Sequence, residues 1–144
     1  MTRIDFHTNI PDKVSYACRL ARKAYGARGK LVLLADDAAQ AAVLNAALWN
    51  VSETDFLPHV MAGDPLAPHT AIIVTHAAQF ETAELPHFDM LVNLTRATPP
   101  ALDRFARVFE IISTDEDDAA AGRKRYVAYK QQSYPLTHFV AGKS

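Results

Sequence analysis

The sequence predicts a single α/β domain over residues 1–144, built on a Rossmann-like, mostly parallel sheet with helices on both faces. Three observations predict it. Short runs that are apolar at consecutive positions recur along the chain, as in Leu31–Leu34, Ala71–Val74 and Met90–Val92; such runs suit strands covered on both faces. Between them lie segments with helical spacing, and strand alternating with helix is the pattern of a parallel sheet with crossover helices. The chain has 144 residues, 49% hydrophobic and 22% charged, enough to bury an ordinary globular core.

Arg3–His7 reads as an opening strand. Pro11 and Asp12 then start a helix to about Ala27, with Val14, Ala17, Cys18, Ala21 and Tyr25 on its core face and Arg19, Arg22 and Lys23 outward. Gly26 and Gly29 end it. Lys30–Leu34 is the second strand, and Asp36–Asp37 supplies the N-cap of a helix over Ala38–Leu48. That helix is apolar almost all round, broken only by Gln40 and Asn45, so it needs cover on more than one side. Asp64–His69, with two prolines, reads as a loop. Ala71–Thr75 and Met90–Leu94 are further strands, Pro99 and Pro100 open a short helix through Phe105, and Arg107–Ile112 is one more strand. A last helix runs from about Asp115 to Gln132, followed by a tail ending in His138-Phe139-Val140.

Bulk properties exclude several classes. A net charge of −1 gives no global field for nucleic acid or an anionic membrane, and no aromatic–basic strand surface stands out, so direct nucleic-acid contact is not expected. One cysteine, Cys18, rules out an internal disulfide and fits a reducing compartment. No apolar run approaches a bilayer span, and the beginning of the chain lacks a signal-peptide pattern; the expectation is a cytoplasmic protein that contacts no membrane.

The motifs of cofactor chemistry are missing. His7–Pro11 after the first strand contains no glycine, and Asp36-Asp37 after the second would repel a phosphate at the helix N-terminus. Neither GxGxxG nor GxxxxGK[ST] occurs, and no cofactor is expected. The histidines His7, His59, His69, His76, His87 and His138 form no HxH or HxxxH pair. His59, His69 and His76 could meet in space, but they read as loop and strand-end residues. Cys18 reads as a small buried hydrophobe. The run Asp115–Asp118 offers carboxylates to a metal or, more simply, to a helix dipole. A rival reading is a small α/β enzyme of unrecognised type using His59 or His76, with Asp36, Asp37 and His7 at the strand ends.

Two places remain informative. The only Trp, Trp49, ends the all-apolar helix and is followed by Phe56-Leu57-Pro58-His59. The last helix carries Arg123-Lys124-Arg125-Tyr126-Val127-Ala128-Tyr129-Lys130 after its acidic start. In one reading, acids first and bases last satisfy the dipole while Tyr126 and Tyr129 cover core. In the other, Arg123, Tyr126 and Val127, at i, i+3 and i+4, set a cation beside an apolar surface. Such a surface suits an acidic peptide ending in a hydrophobic residue with a free carboxylate.

Those segments, with Ala47-Leu48-Trp49 and Ala62-Gly63, resemble the chi subunit family of bacterial DNA polymerase III holoenzyme over essentially the whole chain. The resemblance implies a Rossmann-like sheet without nucleotide-binding loops and an adaptor without catalysis of its own. It implies a psi subunit bound at Trp49, Phe56 and Pro58, linking the chain to the clamp loader. It also implies that the acidic tail of single-stranded DNA-binding protein binds at Arg123, Tyr126, Ile112 and Lys124. A helicase competing for the psi surface is a further implied partner, and accessory subunit of a DNA helicase is an alternative role. Where a family member carries basic residues, Ala119 and Val127 stand here, so the basic patch is thinner, with Arg107, Lys124 and Lys130 as candidates to compensate.

Overall fold

Among the described residues, seven strands are joined into one sheet in which every pairing is parallel. The computed structural model describes residues 1–51 and 56–142. The strands are β1 (Arg3–Ile10), β2 (Leu31–Ala35), β3 (His59–Met61), β4 (Ile72–His76), β5 (Met90–Asn93), β6 (Arg107–Ser113) and β7 (Leu136–Val140), and they lie in the order β3-β4-β2-β5-β6-β1-β7. The helices are α1 (Lys13–Gly26), α2 (Ala38–Leu48), α3 (Ala77–Phe80) and α4 (Glu116–Gln131).

Crossover handedness decides which helix covers which face. From β1 to β2 and from β2 to β3 the chain moves one way across the sheet, and from β4 onward each new strand lies the other way. Right-handed crossovers then put α1 and α2 on one face and α3 and α4 on the other. The two apolar cores agree: one joins Ala17, Cys18, Ala21, Leu44 and Leu48 to Leu31, Leu33, Ile72 and Phe109, while the other joins Phe80 and Tyr129 to Ile4, Phe6, Val32 and Ile112. Burial raises the Cys18 thiol to about 11, the behaviour of an inert core residue.

Local chemistry sets the helix starts. The Asp12 carboxylate accepts the Ser15 N–H at α1, and Asp37 accepts the Gln40 N–H at α2 while the Gln40 side chain accepts the Asp36 N–H. The Asp37 carboxylate and the Asp36 backbone amide are therefore engaged in helix capping.

Four expectations need correction. Residues 99–105 form a 3-10 turn at Leu102–Arg104 and not a helix; two prolines lack amide donors and Ala101 sits in the left-handed region, so no α-helical ladder can start there. A second 3-10 turn, Ala67–His69, occupies part of the loop around residues 64–69. The tail at 138–140 belongs to β7, which pairs with β1 from Ile4–Leu136 to Thr8–Val140. Tyr25 is exposed, because it lies in the last turn of α1 beyond the core.

Candidate functional site

At the ends of the neighbouring strands β1 and β6 the chain leaves toward opposite faces, β1 into α1 and β6 into α4. Such a reversal opens a crevice at the carboxyl ends of the strands. An apolar cleft of about 650 Å³ lies there, on the α4 side. Its floor is Phe6 and Ile112, one wall is Ala119, Gly122, Arg123, Tyr126 and Val127 of α4, and the opposite wall includes His138 of β7. Thr8, Asn9, Ser113 and Thr114 form its rim.

Two backbone features shape this cleft. Between His7 and Ile10 the pairing of β1 with β6 slips, with Asn9 in the left-handed region, so the strand bends as it reaches the rim. On the floor, Gly122 lets α4 approach β6: a Cβ there would lie 2.7 Å from Ile112 Cδ1 and about 3 Å from its Cγ atoms. Ile112 is buried, so a side chain at 122 would have to push α4 outward or displace Ile112 into the cleft. Tyr126 stands on Phe6 with an edge contact at 5.1 Å, and the Thr8 hydroxyl and His138 Nε2 are 2.8 Å apart.

The acidic run beside the cleft is partly neutralised. Asp115 caps α4 through the Asp118 N–H and pairs with Arg96 at 2.8 Å. Asp118 is buried, accepts the Ser113 N–H at 2.7 Å, and holds the Lys13 ammonium at 3.0 Å. Glu116 and Asp117 border a shallow depression on the far side of Arg123. Burial pushes the Asp118 carboxyl up, but the Ser113 N–H and Lys13 outweigh it and hold it below its usual value. A carboxylate with a depressed folded-state value contributes stability above its unfolded-state value and loses it as pH falls through the folded one. Melting temperature should thus fall as pH drops from about 5 toward 2, and Asp118→Asn should flatten that acid limb while melting lower at neutral pH.

Behind the cleft wall lies a buried polar cluster. Glu110 of β6, fully buried, takes Arg125 Nη2 at 3.0 Å and Nε at 3.3 Å, the Tyr129 hydroxyl at 2.6 Å and Asn93 Nδ2 at 2.9 Å. Burial pushes the Glu110 carboxyl up, opposed by the Arg125 charge and the three donors. Because Arg125 is fixed by this cluster, the next residue, Tyr126, and Arg123 two positions before it keep one rotation about the α4 axis.

The second feature is an exposed aromatic corner. Trp49 caps α2 and is 56% exposed, and Phe56 is 64% exposed. Their rings lie 5.3 Å apart, and the Trp49 ring meets the buried His59 ring at 4.7 Å. Each ring nitrogen of His59 faces a backbone carbonyl, Leu57 O at 2.7 Å from Nδ1 and Asn45 O at 3.1 Å from Nε2, so the ring is lodged between the Phe56–His59 segment and α2. Only Ala41, Leu44 and Leu48 of α2 are buried, leaving Val43, Ala46 and Trp49 as an uncovered apolar stripe among the described residues.

The candidate residues therefore fall into two groups. Arg123, Tyr126 and Ile112 converge on the cleft, together with Val127 and Ala119, whereas the exposed Lys124 is not part of its lining. Trp49 and Phe56 share the corner with the half-buried Pro58 beside them. Arg107, suggested as compensating charge, starts β6 at the opposite end of the sheet and pairs with Asp5. His59 is lodged between backbone carbonyls, His76 ends β4 just before α3, and among the described residues no three His, Cys, Asp or Glu side chains form a metal-ligating group. His138 and Thr8 were not foreseen as cleft residues, since nothing in a polar tail announces a strand.

Fold and site together define a parallel α/β protein of the doubly wound class whose switch-point crevice is apolar-walled, with a lone arginine on its α4 wall. The family model described as DNA polymerase III chi subunit, HolC, matches residues 1–137, and the chain belongs to that family of replication accessory subunits. It is 32% identical to DNA polymerase III subunit chi of Pseudomonas aeruginosa over 94% of both chains. To the protein of that name from Haemophilus influenzae it is 24% identical, over 84% of this chain and 82% of the other. Among solved structures, T4 UvsW shares the fold with a TM-score of 0.68 at 10% identity; the match covers 96% of this chain but spans 42% of that one. No helix among the described residues is long and apolar enough to cross a membrane.

Proposed function

We propose that this chain is a non-catalytic adaptor of the replication machinery, joining the clamp loader, through psi, to the acidic C-terminal tail of single-stranded DNA-binding protein. The observation that carries this reading is the convergence of Arg123, Tyr126 and Ile112 on one apolar cleft. An acidic tail ending in a hydrophobic residue would place its last side chain against Ile112 and Tyr126 and its carboxylate on the Arg123 guanidinium. Trp49, Phe56 and Pro58 form the psi-facing surface, and a helicase that competes with psi would use the same corner. The chain carries no active site and no cofactor of its own in this reading, and it works in the cytoplasm.

With Ala119 and Val127 lining the wall, the tail is held more by apolar burial than by a basic patch. Affinity should be micromolar and decline with salt, because the ligand is disordered and acidic. Anisotropy of a labelled peptide matching that tail tests this. Wild type should bind saturably, and Arg123→Ala should weaken binding by at least about tenfold, since a charge-assisted contact is worth about 1.5–3 kcal/mol. Absence of wild-type binding at low salt would rule out tail recognition, and full binding by Arg123→Ala would place the site elsewhere.

A further inference from the structure

The near-neutral total conceals a charge split. The first 30 residues hold seven Lys and Arg against two acids, Asp5 and Asp12, while the other 114 hold eight against fourteen. Both of those acids are occupied: Asp12 caps α1, and Asp5 is buried between Arg107 at 2.5 Å, Arg3 at 3.3 Å and the Thr137 hydroxyl. Of the bases of that segment, Arg19, Lys23, Arg28 and Lys30 are exposed, whereas Lys13 is spent on Asp118 and Arg3 shares Asp5.

The fold turns part of this charge into a surface. Side chains alternate along β1, so Phe6 belongs to the cleft side and Asp5 and His7 to the α1 side. α1 lies over β2 and β6, leaving a ledge on β1 and the edge strand β7 where His7 pairs in register with Phe139. Phe139 is 53% exposed. The His7 ring is within 5.5–5.6 Å of Tyr16, Phe109 and Phe139, ring centre to ring centre. Cations lie against two of these rings, Arg107 at 4.5 Å from the buried Phe109 ring and Arg19 at 5.7 Å from Tyr16. Lys23 follows Arg19 by one turn on the same exposed face of α1.

We propose that this ledge binds single-stranded nucleic acid directly, with a base stacked on Phe139 beside His7 and phosphates on Arg19, Lys23 and Arg3. An exposed ring flanked by cations at a sheet edge is what sequence-tolerant binding of unpaired bases requires. A duplex would bring its phosphates but keep its base faces from Phe139. An acidic peptide would satisfy the cations and leave the ring without a matching flat partner. The site is separate from the cleft, since β1 stands between them.

Anisotropy of a labelled oligothymidylate of about 15 nucleotides tests it, at about 20 mM salt and upward. Wild type should bind saturably, with the logarithm of affinity falling against the logarithm of salt with a slope of about −2, as for about three phosphates on a single strand. Arg19→Glu with Lys23→Glu should weaken binding at least about tenfold and flatten the slope. Phe139→Ala should cost about tenfold and leave the slope unchanged, because it removes stacking and no cation. Circular dichroism must show both variants folded as wild type. No wild-type binding at low salt, or variants that bind as wild type does, would overturn the proposal. So would displacement of the oligonucleotide by an equal concentration of a polyglutamate peptide, which would assign the ledge to acidic proteins.

Discussion

Arg125→Met is expected to lower unfolding free energy by about 3–5 kcal/mol, the largest single loss the structure foresees. The substitution leaves Glu110 fully buried and without its counter-charge. Burial already pushes that carboxyl up, and without the guanidinium it rises further. A carboxyl raised in the folded state stabilises the fold below its unfolded-state value and loses that contribution as pH rises through the folded one. The variant should consequently be least stable at neutral and alkaline pH and recover toward acid. Urea titrations at two pH values check this, and equal losses at both would show that Glu110 is not the cause. Adding Glu110→Leu should restore much of the stability, because apolar replacement of both partners of a buried pair is often neutral or better. Recovery should stop short of wild type, since Tyr129 and Asn93 would each lose an acceptor, at about 1 kcal/mol apiece.

Trp49→Ala should do the opposite, leaving the fold nearly intact and removing the partner. The ring is 56% exposed and, among the described residues, its aromatic contacts are Phe56 and His59, so folding stability should fall by about 1–2 kcal/mol, well short of unfolding the chain. In the adaptor reading, the ring anchors psi together with the bare stripe of Val43 and Ala46. Large aromatic anchors at the centre of an interface are commonly worth about 2 kcal/mol or more, which is about thirtyfold in affinity. Co-purification with psi, followed by calorimetric titration, measures the loss. An unchanged affinity would move the psi surface away from α2.

The central sheet was legible because its strands announce themselves. β2, β4, β5 and most of β6 are apolar at consecutive positions, which only strands covered on both faces tolerate. The edges were not. β3 is three residues long, and β7 exposes Thr137, His138 and Phe139, so neither carries an apolar signature. Missing β7 also hid one wall of the cleft and the whole ledge. The buried pair was illegible for a different reason. Glu110 sits inside an apolar run and Arg125 inside a basic one, and only the packing of α4 on β6 brings them together. The helix spacing of Arg123, Tyr126 and Val127 did point to the cleft, because i, i+3 and i+4 share a face wherever the helix lies.

The position of β1 carries a consequence for how the molecule is made. Its neighbours are β6 and β7, and the bonds that hold Asp5 span 102 residues to Arg107 and 132 to Thr137. A ribosome adding about 5–20 residues per second therefore releases β1 several seconds before either neighbour exists. During that interval Ile4, Phe6 and Ile10 have no sheet to enter, and they are natural prey for a chaperone that grips extended apolar segments. Closure of β1 is consequently a late, long-range step, slow in the way that distant strand pairing is slow. Cleft and ledge both draw on β1 and β7, so neither exists until β7 has been translated, and the two surfaces arrive together.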